Sequence, residues 1–297
     1  RSHTTRVVLL ICALALAWLF SAACAADSRS PDPTRPRADE PPYPVTLAAD
    51  NNRRERALGS WTTLAHDAGI SATPPAPELQ PITATLRALP ATMPSVLRLP
   101  LVEIKDGDKE SAGEATRESL RRFITGARDL LGVTLEDLSL VEIRDEAGTR
   151  VALYQQKPFP FPLRGGYGRV EIRFAPDRSV VALSSTAIPD TERLSRALAA
   201  ARTRAIPAEQ VASKLVGRTV ILNPGAGAAE TYTVAAGDPV NVRELVVYPL
   251  ARAADPNTLE LRLAWETAVG AAGDVLVYVD AVTGETIAAT RASAPLK

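Results

Sequence analysis

Apolar residues in this chain follow a helical spacing and then an alternating one, and that succession occurs twice. Leu120, Phe123, Ile124, Ala127, Leu130 and Leu131 share one face of a helix predicted over residues 114–131, with Arg121, Arg122, Arg128 and Asp129 outside the stripe. Ser111 and Glu114 have the spacing of a capping box, and Gly132 supplies the residue that tolerates a left-handed stop. A helix with one apolar stripe needs a sheet to cover it, and the next segments supply strands. They are predicted at residues 138–144, 151–155, 170–174 and 180–184, with turns at residues 145–148 and 175–178. Val170, Ile172 and Phe174 point inward while Glu171 and Arg173 point outward. A short strand over residues 99–104 is expected to open this first unit.

The plan then repeats. A helix is predicted over residues 191–204, and another opens at Pro207, whose missing N–H costs nothing in a first turn; Val211 and Leu215 give it an apolar side. Strands follow at residues 219–222, 231–235, 244–248, 259–269, 275–280 and 286–289. In the longest, Leu259, Leu261, Leu263, Trp265 and Val269 alternate with Glu260, Arg262 and Glu266, which are expected on the opposite side. Asp280 to Gly284 reads as a hairpin turn closed by a glycine at positive φ. The fold class is α+β: two tandem units, each a helix packed on an antiparallel meander.

The ends differ from this pattern. Arg1 and Arg6 precede an uninterrupted apolar run over residues 7–20, then small residues and Asp27, which is the layout of a signal peptide over residues 1–26. An uncleaved membrane anchor is the competing reading, and the small residues at the end of the run favour cleavage. Ser21-Ala22-Ala23-Cys24 is similar to a lipoprotein box, so lipidation at Cys24 and ordinary cleavage near Ala25 or Ala26 both stay open. Export follows from either: secreted, periplasmic or in the envelope, with a membrane engaged only through the signal peptide or a lipid anchor.

Between residues 27 and 100 lie 13 of the 24 prolines. Proline removes backbone donors, so residues 27–98 are expected to form a largely disordered arm. A short helix could carry Leu58, Trp61 and Leu64, as a loosely docked arm or as a segment that folds on a partner. Asp106, Asp108 and Glu110 suggest a calcium loop but lack its ligand spacing, so a solvated turn is expected there.

Charge and chemistry narrow the function. Lys+Arg and Asp+Glu are both 34, which gives no electrostatic case for nucleic acid. The two cysteines, Cys12 and Cys24, both lie in the predicted signal peptide, so no disulfide framework is expected in the exported part. The two histidines are His3 and His66, outside both predicted units. No His-Glu-x-x-His is present, nor a Ser-His-Asp or Cys-His set, and carboxylate pairs such as Glu136-Asp137 and Asp145-Glu146 sit at predicted turns. The expectation is a chain with no catalytic residues, no metal and no cofactor.

Residues 99–190 resemble the fungalysin/thermolysin propeptide domain. The resemblance rests on a helix ending in Leu130-Leu131-Gly132, on Tyr154-Gln155-Gln156, on Gly165-Gly166 and on a strand pair around an Asp-containing turn. Residues 206–290 resemble a PepSY domain through Leu263-Ala264-Trp265-Glu266 and Tyr278-Val279-Asp280-Ala281-Val282-Thr283-Gly284-Glu285. Residues 191–205 would then be a linker helix and residues 291–297 a C-terminal tail. Together the two resemble the prodomain of a thermolysin-like zinc metallopeptidase without its catalytic domain. The resemblance implies a non-catalytic module that binds, inhibits or helps fold such an enzyme, in cis or in trans. The alternative is an exported or lipid-anchored scaffold with the same folds and no link to proteolysis.

The loop over residues 157–164 departs from the family. Either its Phe159 and Phe161 pack on the domain edge, which is favoured, or the loop is an exposed contact site made of Phe159, Phe161, Arg164 and Tyr167. The tail residues Arg291, Pro295 and Leu296 are candidates for occupying a partner's cleft.

Overall fold

In a computed structural model of the chain, residues 42–70, 72–91, 96–103, 109–157, 159–222, 230–252 and 254–292 are described. Cys24, Pro295 and Leu296 lie outside them, as do residues 1–26, residues 27–41 and the candidate calcium loop at residues 106–108. The elements in chain order begin with β1 (Val45–Ala48), α1 (Asn51–Asp67), β2 (Glu78–Leu79) and β3 (Leu86–Ala88). The first repeat follows as α2 (Lys109–Gly126), α3 (Arg128–Leu131), β4 (Leu138–Glu146), β5 (Thr149–Gln156), β6 (Arg169–Phe174) and β7 (Val180–Ser185). The second is α4 (Thr191–Ala201), α5 (Ala208–Leu215), β8 (Thr219–Leu222), β9 (Glu230–Thr233), β10 (Val240–Arg252), β11 (Asp255–Val269), β12 (Val275–Asp280) and β13 (Thr286–Arg291). The fold is α+β with antiparallel sheets.

The first sheet is the meander β4-β5-β6-β7. Ala152, Ile172 and Leu183 stand opposite one another on its inner face, beneath Leu120, Phe123 and Ile124 of α2. Ala147 and Gly148 form the two-residue turn between β4 and β5 at φ 45 and 81, the left-handed pair that matches strand twist. The helix runs differently at both ends from its expected span. It begins at Lys109, which places Ser111 and Glu114 inside it, so the capping box does not form; Glu114 instead pairs with Arg117 and Arg121. It breaks at Ala127 before α3, and Gly132 closes α3 at φ 73. No strand forms over the described residues 99–103; Leu97 and Leu99 are buried, and Arg98 bridges Ser179 at the edge of β7.

The second sheet is built on β11, whose one side is paired along its length by β10. Its other side is shared end to end: β1 pairs with residues 258–261 and β12 with residues 264–269. β13 lies beyond β12, and β8 with β9 forms a separate hairpin. Leu194 and Leu198 of α4 and Val211 and Leu215 of α5 cover the same face of this sheet, meeting Leu259, Leu261, Val275 and Val277.

Two expectations are overturned here. The segment expected to be a disordered arm is folded from β1 onward: Val45 and Leu47 enter the core above α4, and Trp61 packs with Leu86, Leu120 and Leu131 under the first sheet. Its described prolines fall between elements, where lost donors cost little, while its apolar residues keep strand and helix spacing. The helix over residues 191–201 is likewise more than a linker. Leu194 and Leu198 are fully buried in a core that also takes Phe159, Leu163 and Ile188 from the first unit and Val45 and Leu47 from the segment ahead of it, the leader, whose fold begins at β1. The two units therefore share one apolar core rather than meeting only through a connection.

Candidate functional site

The loop between β5 and β6 joins the two sheets. Leu163 makes a parallel bridge to Val247 on β10, with Arg164 N–H donating to the Val247 carbonyl at 3.0 Å and Val247 N–H to the Pro162 carbonyl at 2.9 Å. Gly168 makes the return possible. It sits at φ +77, and a Cβ there would lie 2.5 Å from Leu163 Cδ1. Gln156 fixes the other side of the seam: its amide donates to the Ile188 carbonyl at 2.8 Å and accepts from Ile188 N–H at 2.9 Å. The Gln-Gln pair that carries part of the family resemblance thus has a structural role at Gln156, inside the protein.

Phe159 is buried and Phe161 partly so, both in the core shared with α4, and Arg202 lies over the Phe161 ring at 5.7 Å. The exposed aromatic contact reading is corrected for Phe159, whose ring faces inward, while Phe161 packs on the domain edge with part of its ring exposed. Tyr167 packs against the same core, and burial raises its phenol pKa. Arg164 reaches across the seam to Glu266 at 2.7 Å and Glu244 at 2.6 Å. Arg291 ends β13 opposite Val275 and pairs with Asp274 at 2.9 Å and with Glu230. As a strand residue held by two acids it is not part of a cleft-occupying tail.

The structure nevertheless brings three of these residues together. Arg164, Tyr167 and Arg291 line one open groove of about 650 Å³ between the loop and the outer face of the second sheet. Glu266, Leu276, Tyr278 and Thr290 form its floor, while Gly165, Gly166 and Arg169 complete its wall. Gly165 lies against the Tyr248 ring, where a Cβ would sit 3.3 Å from Cζ. Tyr248 and Tyr278 pack with centroids 4.6 Å apart.

Period-two reading missed the chemistry of this outer face. Glu260, Glu266 and Asp280 were expected toward solvent or in a turn, yet all three are buried. Glu266 takes Arg164, a longer contact to Arg243 at 3.7 Å, and the Tyr278 hydroxyl at 3.3 Å. Burial, then the Glu266 charge, pushes the Tyr278 phenol up to about 12. Glu260 takes Arg252 and Arg262, the latter at 2.8 Å. Asp280 takes Arg262 at 3.0 Å, Tyr43 at 2.9 Å, and the backbone N–H of Val282 at 2.8 Å and Thr283 at 2.9 Å. Burial first, with Asp280 beside it, holds the Tyr43 phenol far above its ordinary range, so that it stays a neutral donor. Each carboxylate is thus consumed by structural partners. Among the described residues no group of three or more His, Cys, Asp or Glu side chains could hold a metal ion.

No protein-family model matches the chain, and no curated protein does. Among solved structures, the YpeB C-terminal domain of Bacillus megaterium aligns over 66% of this chain and 73% of that one, at 19% identity and a TM-score of 0.25, a likeness too slight to build on.

Proposed function

We propose that this chain is a non-catalytic, propeptide-like module that binds a thermolysin-like zinc metallopeptidase outside the cytoplasm, inhibiting it or assisting its folding, whether joined to that enzyme or separate from it. The observation that carries the reading is the groove at the seam. It is open, polar at its walls and aromatic at its floor, and it stands on two sheets held together by a shared core. A surface of that kind can receive part of another protein without reorganising, which keeps the entropic cost of association low. The buried carboxylate in its floor, Glu266, is held by Arg164 and the Tyr278 hydroxyl, which rigidifies the floor. The resemblance to propeptide and PepSY domains in the order of the two helix–meander units adds the class of partner.

The test is to add the purified protein to thermolysin-type peptidases, both during peptide hydrolysis and during refolding from denaturant. A dose-dependent fall in hydrolysis, or a gain in refolded activity, is expected for at least one enzyme. Neither effect across a panel would sink the peptidase reading and leave a binding scaffold unrelated to proteolysis.

A further inference from the structure

We infer that the seam groove takes an extended peptide segment bearing acidic side chains, with Arg169 as its principal charge contact; this rests on the reading of the groove as the partner-binding surface. Arg164, Arg169 and Arg291 line the groove, against the single carboxylate of Glu266. That carboxylate is already taken by Arg164, Arg243 and Tyr278. Arg164 and Arg291 each have two acidic partners of their own. Arg169 differs: it is exposed, it begins β6 at the groove wall, and no acidic side chain among the described residues pairs with it. A guanidinium at the groove wall that no acid takes up favours a carboxylate, which its planar fork can hold through two hydrogen bonds.

Shape then favours a peptide over a small anion. At 650 Å³ the groove is far larger than a lone carboxylate or phosphate needs, and its floor offers the faces of Leu276 and Tyr278 between polar groups. Gly165 and Gly166 are exposed along the wall and carry no side chain to block a passing main chain. Charge therefore selects acidic residues, and the floor accepts the apolar residues between them.

Fluorescence anisotropy of a labelled hexapeptide alternating Glu and Val tests this, with the Gln–Val counterpart as comparison. The acidic peptide is expected to bind and to weaken as salt is raised, and Arg169→Glu to weaken it by about tenfold or more. Arg218→Glu, an exposed change beside β8 and away from the groove, is expected to leave binding unchanged; matching thermal midpoints establish that both variants fold. Equal binding of the two peptides, no binding of either, or equal losses in the two variants would overturn the inference. Peptidase inhibition measured in parallel separates the claims. Inhibition that persists while the acidic peptide fails to bind removes the ligand inference alone, and peptide binding with neither inhibition nor a gain in refolded activity removes the peptidase reading alone.

Discussion

Replacing Trp61 with alanine is expected to lower the unfolding free energy by about 3–5 kcal/mol, the range for emptying a buried aromatic site. The indole is 2% exposed and packs among Leu79, Leu86, Leu97 and Leu120. Its Nε1–H donates to the Pro75 carbonyl at 2.9 Å, so truncation removes both an apolar filling and the partner of a backbone acceptor. The site cannot collapse easily, because the start of α1 is pinned. Asp50 caps its start by accepting Asn52 N–H, and Arg53 reaches the Ile82 carbonyl at 3.1 Å and Asp190 at 3.2 Å. Urea denaturation of the variant should show an earlier midpoint with an unchanged slope. A loss under about 1 kcal/mol, the scale of ordinary surface changes, would mean that α1 is a peripheral arm after all.

The second large effect is expected at Asp280. Changing it to alanine takes from Arg262, whose side chain is 13% exposed, one of its two carboxylates, leaves the Tyr43 hydroxyl with only the Leu263 carbonyl at 3.3 Å, and strips two backbone N–H groups of their acceptor. Breaking a buried charge pair from one side costs about 3–5 kcal/mol, a large part of the roughly 5–15 kcal/mol that holds a domain folded. This carboxylate ties the leader to the second sheet, since Tyr43 also accepts from Leu263 N–H at 3.1 Å where β1 gives way to β12. A double-mutant cycle with Tyr43→Phe should therefore show coupling of about 0.5–3 kcal/mol. Strict additivity of the two changes would contradict the tie.

How far these features are legible in the sequence depends on how local their causes are. The stripe on α2, the alternation in β6 and the glycine stops at Gly132 and Gly284 each depend on a few neighbouring residues, and the spacing read from the sequence places them where they fold. Proline counting failed over the leader because it averages across 70-odd positions, whereas folding depends on where each proline falls: Val45, Leu47 and Trp61 keep their spacing between them. The outer face of β11 was unreadable for another reason. Alternation assigns Glu260, Glu266 and Arg262 to solvent, and only the folded chain brings their partners. Arg164 lies 102 positions from Glu266, and Tyr43 lies 237 from Asp280. Likewise Phe159 and Phe161 gave no local sign of their direction, because α4 and the second sheet that cover them come later in the chain. The groove was visible only as separate residues, Arg164, Tyr167 and Arg291, read as two different surfaces.

The most direct test of the groove as the partner surface is isothermal titration of the protein into a purified thermolysin-type peptidase that it inhibits, comparing the natural sequence with Thr290→Trp, which fills the groove floor from β13. The natural protein should bind one to one with a dissociation constant of about 1 μM or tighter. The filled variant, folded to the same thermal midpoint, should bind at least about tenfold more weakly, a loss of about 1.4 kcal/mol. Equal affinity of the two proteins would place the contact elsewhere and contradict the account.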